Sequence, residues 1–147
     1  MSAMKTAKRF VYEGFGFPVV FLNVPMVEVR GIWTPKVDYN KLAHELVLAL
    51  AHKPARLTGS EIKFIRLHFE MTLQQFGQSF DVTHPAVMKW ERAGHEPPDM
   101  KWPTEKDIRL CILDREHARV NAFKELYAEL RQKVKRTSKP IELNLAA

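Results

Sequence analysis

The chain has 147 residues, with 23 Lys and Arg against 17 Asp and Glu, which gives a formal net charge of +6. This length holds one ordinary domain or two small ones, and a 46% hydrophobic content is enough for a packed core. There is no apolar run long enough for a membrane span, no clean signal peptide around residues 15–29, and only one cysteine, Cys111. These features predict a cytoplasmic protein without an intrachain disulfide, and the positive charge suits a polyanionic partner.

The N-terminal third has the composition of a small β unit followed by a helix. Valine and aromatic residues predict strands at 17–22 and 26–32, joined as a hairpin by Asn23-Val24-Pro25. Residues 38–53 predict a helix that Asp38 or Asn40 caps, with Leu42, Leu46 and Leu50 on one face. A hairpin and one helix make a marginal core. We therefore expect this unit to pack on the rest of the chain, on a second subunit or on a partner protein.

Residues 70–94 predict two short helices with a tight turn between them. Thr72 is placed to cap the first helix, with Gln75 in the capping-box position three residues later. Asp81 lies where the chain must turn, and Thr83 is placed to cap the second helix. Val87 and Trp90 fall on the buried stripe of that second helix, expected to face Phe76 and Phe80, and Glu91 is expected to hold Arg66 or Arg92.

Four pieces of sequence, in order, resemble the XRE/Cro-type helix-turn-helix family. They are Leu57 to Arg66, Thr72 to Ser79, the turn Asp81-Val82-Thr83, and Trp90-Glu91-Arg92-Ala93-Gly94. Three positions depart from the family pattern. Leu73 stands where a phosphate-contacting glutamine is usual, Gly77 replaces an alanine at the helix contact, and Asp81 replaces the turn glycine.

The resemblance implies that the second helix of the pair enters a DNA major groove. Base edges would be read by its exposed first turns, which carry His84, Pro85, Ala86, Met88 and Lys89. The resemblance places the phosphate contacts on the flanking helix ends and loop, at Lys63, Arg66, Thr72, Gln74, Gln75, Thr83, Arg92 and Lys101.

The C-terminal part predicts two more helices after a proline-rich loop at residues 95–103. Thr104 is expected to cap the first, which runs to about Asp114, and the last spans about Glu116 to Arg136. Apolar residues repeat along the last helix at spacings of three and four, and this seam predicts either a dimer contact or packing within the chain. Its members are Val120, Phe123, Tyr127, Leu130 and Val134. The tail at residues 137–147 carries no structural signal.

A hairpin-and-helix unit ahead of such a domain also resembles the MqsA/YgiT group of toxin–antitoxin antitoxins. In that group the N-terminal unit binds zinc through cysteine pairs and holds the toxin, while the C-terminal domain dimerises and binds the operator. This chain lacks those cysteines, so the resemblance implies a metal-free relative. A protein toxin would be captured by strand addition to an exposed edge of the hairpin at 17–32.

Catalytic patterns are absent from the sequence. The six histidines show no helical pairing at three or four residues and no HExxH motif, the glycines form no phosphate loop, and Cys111 lies in an apolar helix without an activating neighbour. An aromatic run from Phe10 to Phe21 resembles a base-stacking platform, but packing across the hairpin explains it better. We therefore expect no enzyme activity, no cofactor and no metal.

Together these observations predict a mainly α fold: a small N-terminal β-hairpin plus helix unit at residues 1–53, then a five-helix domain of the XRE type at residues 57–136. The predicted function is a cytoplasmic, sequence-specific repressor, acting as an antitoxin or autoregulator. As a homodimer it would read a near-palindromic operator with recognition helices about 34–36 Å apart. Two alternatives remain: a stand-alone regulator whose N-terminal unit senses a ligand or dimerises, and an interaction adaptor that does not bind DNA.

Overall fold

The fold was analysed in a computed structural model that describes residues 3–116, 120–131 and 139–146. Within these ranges lie strands β1 (Met4–Tyr12), β2 (Val19–Val29), β3 (Ile32–Pro35) and β4 (Ile141–Asn144). The helices are α1 (Tyr39–Ala51), α2 (Gly59–His68), α3 (Leu73–Ser79), α4 (His84–Glu91), α5 (Trp102–Arg115) and α6 (Val120–Leu130). No helix in the described ranges has the length and apolar character needed to cross a bilayer.

The four strands form one sheet with β2 at its centre. β1 runs antiparallel along one side of β2, from Met4 opposite Val27 to Tyr12 opposite Val19. On the other side, β4 pairs parallel with the first half of β2, and β3 pairs antiparallel with its second half. The sequence expectation of a mainly α protein with a small hairpin is therefore wrong, because the described residues form a mixed α and β fold.

The expected break at Asn23-Val24-Pro25 is instead the middle of β2. The carbonyl of Pro25 accepts a hydrogen bond from the Lys36 amide, on the side of β2 away from β1. Pro25 lies opposite Thr6 of β1, at a position of β2 whose amide points away from β1. The missing N–H donor therefore costs no bond to β1, and on the other side Pro25 faces Lys36, just beyond the end of β3.

The chain reverses between β2 and β3, at Arg30 and Gly31. Arg30 and Gly31 both have positive φ, 53° and 80°, and Val29 pairs with Ile32 across them. This is the geometry of a two-residue turn, which suits the twist of the strands. The tail also differs from expectation, because residues 141–144 form β4 and the Leu145 amide donates to the Leu22 carbonyl at 2.7 Å.

The sheet and the helices share one hydrophobic core. Phe21 from β2 and Leu46 from α1 belong to the same buried cluster as Ile62, Ile108 and Leu126 from the later helices. On α1 the expected apolar face is confirmed, since Leu42, Leu46 and Leu50 are buried and Asp38 accepts from two amides of the first turn. The N-terminal unit therefore packs on the rest of its own chain.

The C-terminal helices depart from the predicted boundaries. α5 begins at Trp102 rather than after Thr104, with Pro103 in its first turn, where a missing amide hydrogen costs nothing. On α6, Leu126 and Leu130 are buried in the core, whereas Phe123 and Tyr127 are exposed. The expected apolar seam is therefore divided between core and surface, while Val134 and the side chain of Val120 lie outside the described residues.

Candidate nucleic-acid interface

The helix pair α3–α4 is built from the capping interactions that the sequence predicted. Thr72 accepts from the Gln75 amide at 3.1 Å, and the Gln75 side chain accepts from the Thr72 amide at 2.9 Å. Thr83 accepts from the Ala86 amide at 3.4 Å. Asp81 has φ 56°, so aspartate occupies the left-handed turn conformation, as expected.

A glycine sets how closely the two helices approach. A Cβ on Gly77 would lie 2.7 Å from the Val82 carbonyl oxygen and 3.3 Å from two backbone atoms of Thr83. Even alanine at this position would press on the turn. Gly77 therefore allows the turn to lie directly against α3, at the place where the resembling family carries alanine.

Helix α4 is fixed from behind by two apolar side chains and one ion pair. Val87 is fully buried and Trp90 is 7% exposed, both in the core cluster that holds Phe76 and Phe80. Glu91, the last residue of α4, forms two hydrogen bonds with the Arg66 guanidinium of α2, at 2.7 and 3.0 Å. The expected burial of Trp90 is confirmed, and Arg66 is the partner of Glu91.

This bracing leaves the opposite face of α4 open to solvent. Pro85 and Lys89, one turn apart, are exposed, and His84 is exposed at the start of the helix. Ala86 and Met88 flank that face and are partly buried. Lys89 thus offers an ammonium donor in the last turn of a firmly held helix, with the small or apolar side chains of Ala86 and Met88 flanking its face.

Most of the predicted phosphate-contacting residues have exposed side chains. Exposed among them are Lys63, Thr72, Gln74, Gln75, Thr83, Arg92 and Lys101. Arg66 is different, because its side chain is only 11% exposed and its third hydrogen bond goes to the Met71 carbonyl at 3.0 Å. We reassign Arg66 from phosphate contact to the internal brace of α4, since its donors are directed at Glu91 and Met71.

A buried charge network, which the sequence did not reveal, joins α5 to the connector between α1 and α2. Arg109 on α5 is fully buried and donates to Glu105 and to the carbonyls of Lys53 and Ala55 in the connector before α2. Burial lowers the pKa of Arg109, and the Glu105 carboxylate opposes that shift. Arg56 also pairs with Glu105, at 2.6 Å.

A second buried ion pair lies at the start of α2. The Lys53 ammonium contacts both carboxylate oxygens of Glu61, at 2.8 and 2.9 Å, while Glu61 closes a capping box with Thr58. Charged residues in a connector usually lie in solvent, so no sequence pattern distinguishes these from surface charges. These buried charges hold the connector in place, and because they are paired and buried they do not contribute to the exposed charge around α3 and α4.

Comparisons with family models, with curated proteins and with solved structures found no match for this chain. The resemblance to XRE/Cro-type proteins therefore rests on the sequence motif.

Proposed function

We propose that this protein is a sequence-specific DNA-binding transcriptional repressor in which α4 enters the major groove. One observation carries the proposal: α4 is held from behind by Val87, Trp90 and the Arg66–Glu91 pair, and presents Pro85 and Lys89 outward. A rigid exposed helix is what direct reading of base edges needs, because the major groove admits one helix. The formal charge of +6 suits the phosphate backbone.

Within this proposal Lys89 is the principal base contact and Arg92 a phosphate contact. Lysine donates to O6 and N7 of guanine, while Met88 and Ala86 suit a thymine methyl. The exposed polar residues Gln74, Thr83 and Lys101 would contact the backbone on either side of the groove. Such contacts position the protein but do not specify sequence.

The test begins with selection of a binding site from a random pool of duplex DNA. Affinities of the wild type, Lys89→Ala and Arg92→Ala are then measured by fluorescence anisotropy on the selected site and on scrambled DNA. Lys89→Ala should cost about 1–3 kcal/mol on the selected site and little on scrambled DNA. Arg92→Ala should weaken both and reduce the salt slope by about 1.

Lys41→Ala is the matched control, because Lys41 is an exposed lysine on α1, outside the α3–α4 pair. It removes the same charge as Lys89→Ala and should leave site preference unchanged. An equal loss for the two variants on the selected site would show that only net charge matters. That result, or failure to select any site, would overturn the proposal.

We further propose that the repressor is an antitoxin or autoregulator with a protein partner at the sheet. The hairpin edge expected at 17–32 is not available, because β2 is paired on both sides. Among the described strands β1 lies at the edge of the sheet, and Met4 and Val11 on it are exposed. An unpaired strand edge supports capture of an extended segment by strand addition.

The pairing of β1 gives a specific test of that edge. Because the Ala3 carbonyl accepts from the Glu28 amide, odd-numbered residues of β1 bond to β2 and the even-numbered Lys8 points its amide outward. Lys8→Pro should therefore abolish neutralisation of a toxic product of an adjacent gene, and Lys8→Ala should not. If both variants neutralise equally, the edge is not the binding site, and the alternative of a stand-alone regulator is favoured.

A further inference from the structure

Two histidines and one glutamate from three different helices meet beside the core. His44 lies on α1, His68 is the last residue of α2, and Glu116 is the C-cap of α5. Nε2 of His68 is 2.7 Å from one carboxylate oxygen of Glu116, and Nδ1 of His44 contacts the other. One ligand atom from each residue lies within 4.8 Å of the other two.

The surroundings favour a positive charge at this place. α2 and α5 both end at the cluster, and helix C-termini carry partial negative charge. The side chains of His68 and Glu116 are 22% and 12% exposed, so water screens them only in part, whereas His44 is 47% exposed. Arg115 precedes Glu116 in the chain, but its guanidinium contacts the carbonyl oxygen and the ring of Phe69 and not the cluster.

The histidine rings are also partly oriented before any ion binds. The ring of His68 stacks on Phe64, with centroids 6.0 Å apart and an interplanar angle of 26°. Its Nε2 faces Glu116, as does Nδ1 of His44. Two imidazole nitrogens and a carboxylate oxygen are the ligand set of many zinc sites that keep further positions for water.

We propose that His44, His68 and Glu116 bind one divalent transition-metal ion of the zinc type. The ion would replace the direct hydrogen bonds between Glu116 and the two imidazoles. The three side chains would have to move apart only slightly to coordinate it. Water completes the coordination from the exposed side at His44. Since the ligands belong to α1, α2 and α5, the ion would link α1 of the N-terminal unit to α2 and α5 of the helical part.

No sequence pattern predicts this site, because its ligands are 24 and 48 residues apart. Metal motifs are recognised by short spacing on one helix or loop, which is absent here. Metal binding at this site does not require that the protein bind DNA, and it departs from the sequence expectation of a metal-free protein.

Metal binding can be tested on the full chain without a histidine tag, since tags bind the same ions. Co²⁺ serves as a spectroscopic probe, because its visible absorption reports nitrogen and oxygen coordination, and Zn²⁺ affinity is measured by competition with a chromophoric chelator. One ion should bind per chain, and Zn²⁺ should raise the melting temperature. His68→Gln and Glu116→Gln should each weaken binding by more than the ~10–100-fold that loss of an outer-sphere partner costs.

His52→Gln is the matched control. His52 is the C-cap of α1 and contacts Glu129 at 3.1 Å, but no third ligand joins that pair within the described residues. The His52→Gln protein should bind Zn²⁺ with the wild-type affinity. His44→Gln changes a half-exposed side chain, so it tests the site even if the more buried variants fold poorly. Unchanged binding in folded His44→Gln and Glu116→Gln, or equal loss in His52→Gln, would overturn the proposal.

Discussion

The Arg66 guanidinium and the Glu91 carboxylate join α2 to the end of α4 through two hydrogen bonds in a site that is only 11% exposed on either side. Arg66→Ala leaves the carboxylate without its partner and should lower the free energy of unfolding by about 1.5–3 kcal/mol, as for hydrogen bonds to charged groups. Urea unfolding measures this loss. A double-mutant cycle with Glu91→Gln should show that the two effects are not additive. Full additivity would mean that the pair does not brace α4.

Gly77→Ala should destabilise the protein although alanine has the higher helix propensity. The new Cβ would lie 2.7 Å from the Val82 carbonyl oxygen, a backbone atom that cannot move away cheaply. We expect a loss of about 1–3 kcal/mol, the usual range for overpacking. Gln78→Ala on the same helix changes an exposed side chain and should be close to neutral. A Gly77→Ala protein that melts at or above the wild-type temperature would contradict the close approach.

Arg109→Met should cost about 3–5 kcal/mol, as for breaking a buried ion pair by removing one partner. Glu105 would keep the Arg56 guanidinium and the Leu57 amide as partners, and the carbonyls of Lys53 and Ala55 would lose their donor. Thermal and urea unfolding measure the effect, and Lys41→Met controls for loss of an exposed positive charge. A change below about 1 kcal/mol would show that the connector is held by other contacts.

The surface half of the α6 seam is the part available for self-association. Phe123→Glu with Tyr127→Glu replaces two exposed side chains and should give a folded monomer, if this face makes the dimer. Leu130→Glu places a charge at a site that is 2% exposed, and should unfold the protein instead of only dissociating it. Sedimentation and circular dichroism separate the two outcomes. A dimer that persists in the double variant would place the interface elsewhere.

Cys111 should react slowly with alkylating reagents in the folded protein. Partial burial raises the pKa of its thiol, so less of the reactive thiolate is present at a given pH. The rate of iodoacetamide labelling should be lower in the folded than in the unfolded chain, and should rise with pH. Because the folded pKa is the higher one, the stability that the protonated thiol contributes is lost as pH rises from the unfolded pKa through the folded one. Equal labelling rates at neutral pH would contradict the shift.

Local signals determined the helical part of this chain. Thr72, Thr83 and Asp38 cap the helices that the sequence assigned to them, and the burial of Val87 and Trp90 follows from their spacing. The exposure of Lys89 could be predicted for the same reason, because capping and helical periodicity act over a few residues.

Only the tertiary structure decided the sheet, the charge pairs and the histidine cluster. The sequence around Pro25 predicts a break, yet Pro25 lies inside β2, at a position whose amide points away from β1. The tail, which carries no structural signal in the sequence, becomes β4 only through pairing with β2. The sequence offered Glu91 two partners, Arg66 and Arg92, and only the fold selects Arg66. Arg109 has the appearance of a surface charge in the sequence, but the fold buries it beside the carbonyls of the connector. Strand pairing, ion pairing and the contacts within the histidine cluster join residues that are far apart in sequence, so local spacing does not predict them.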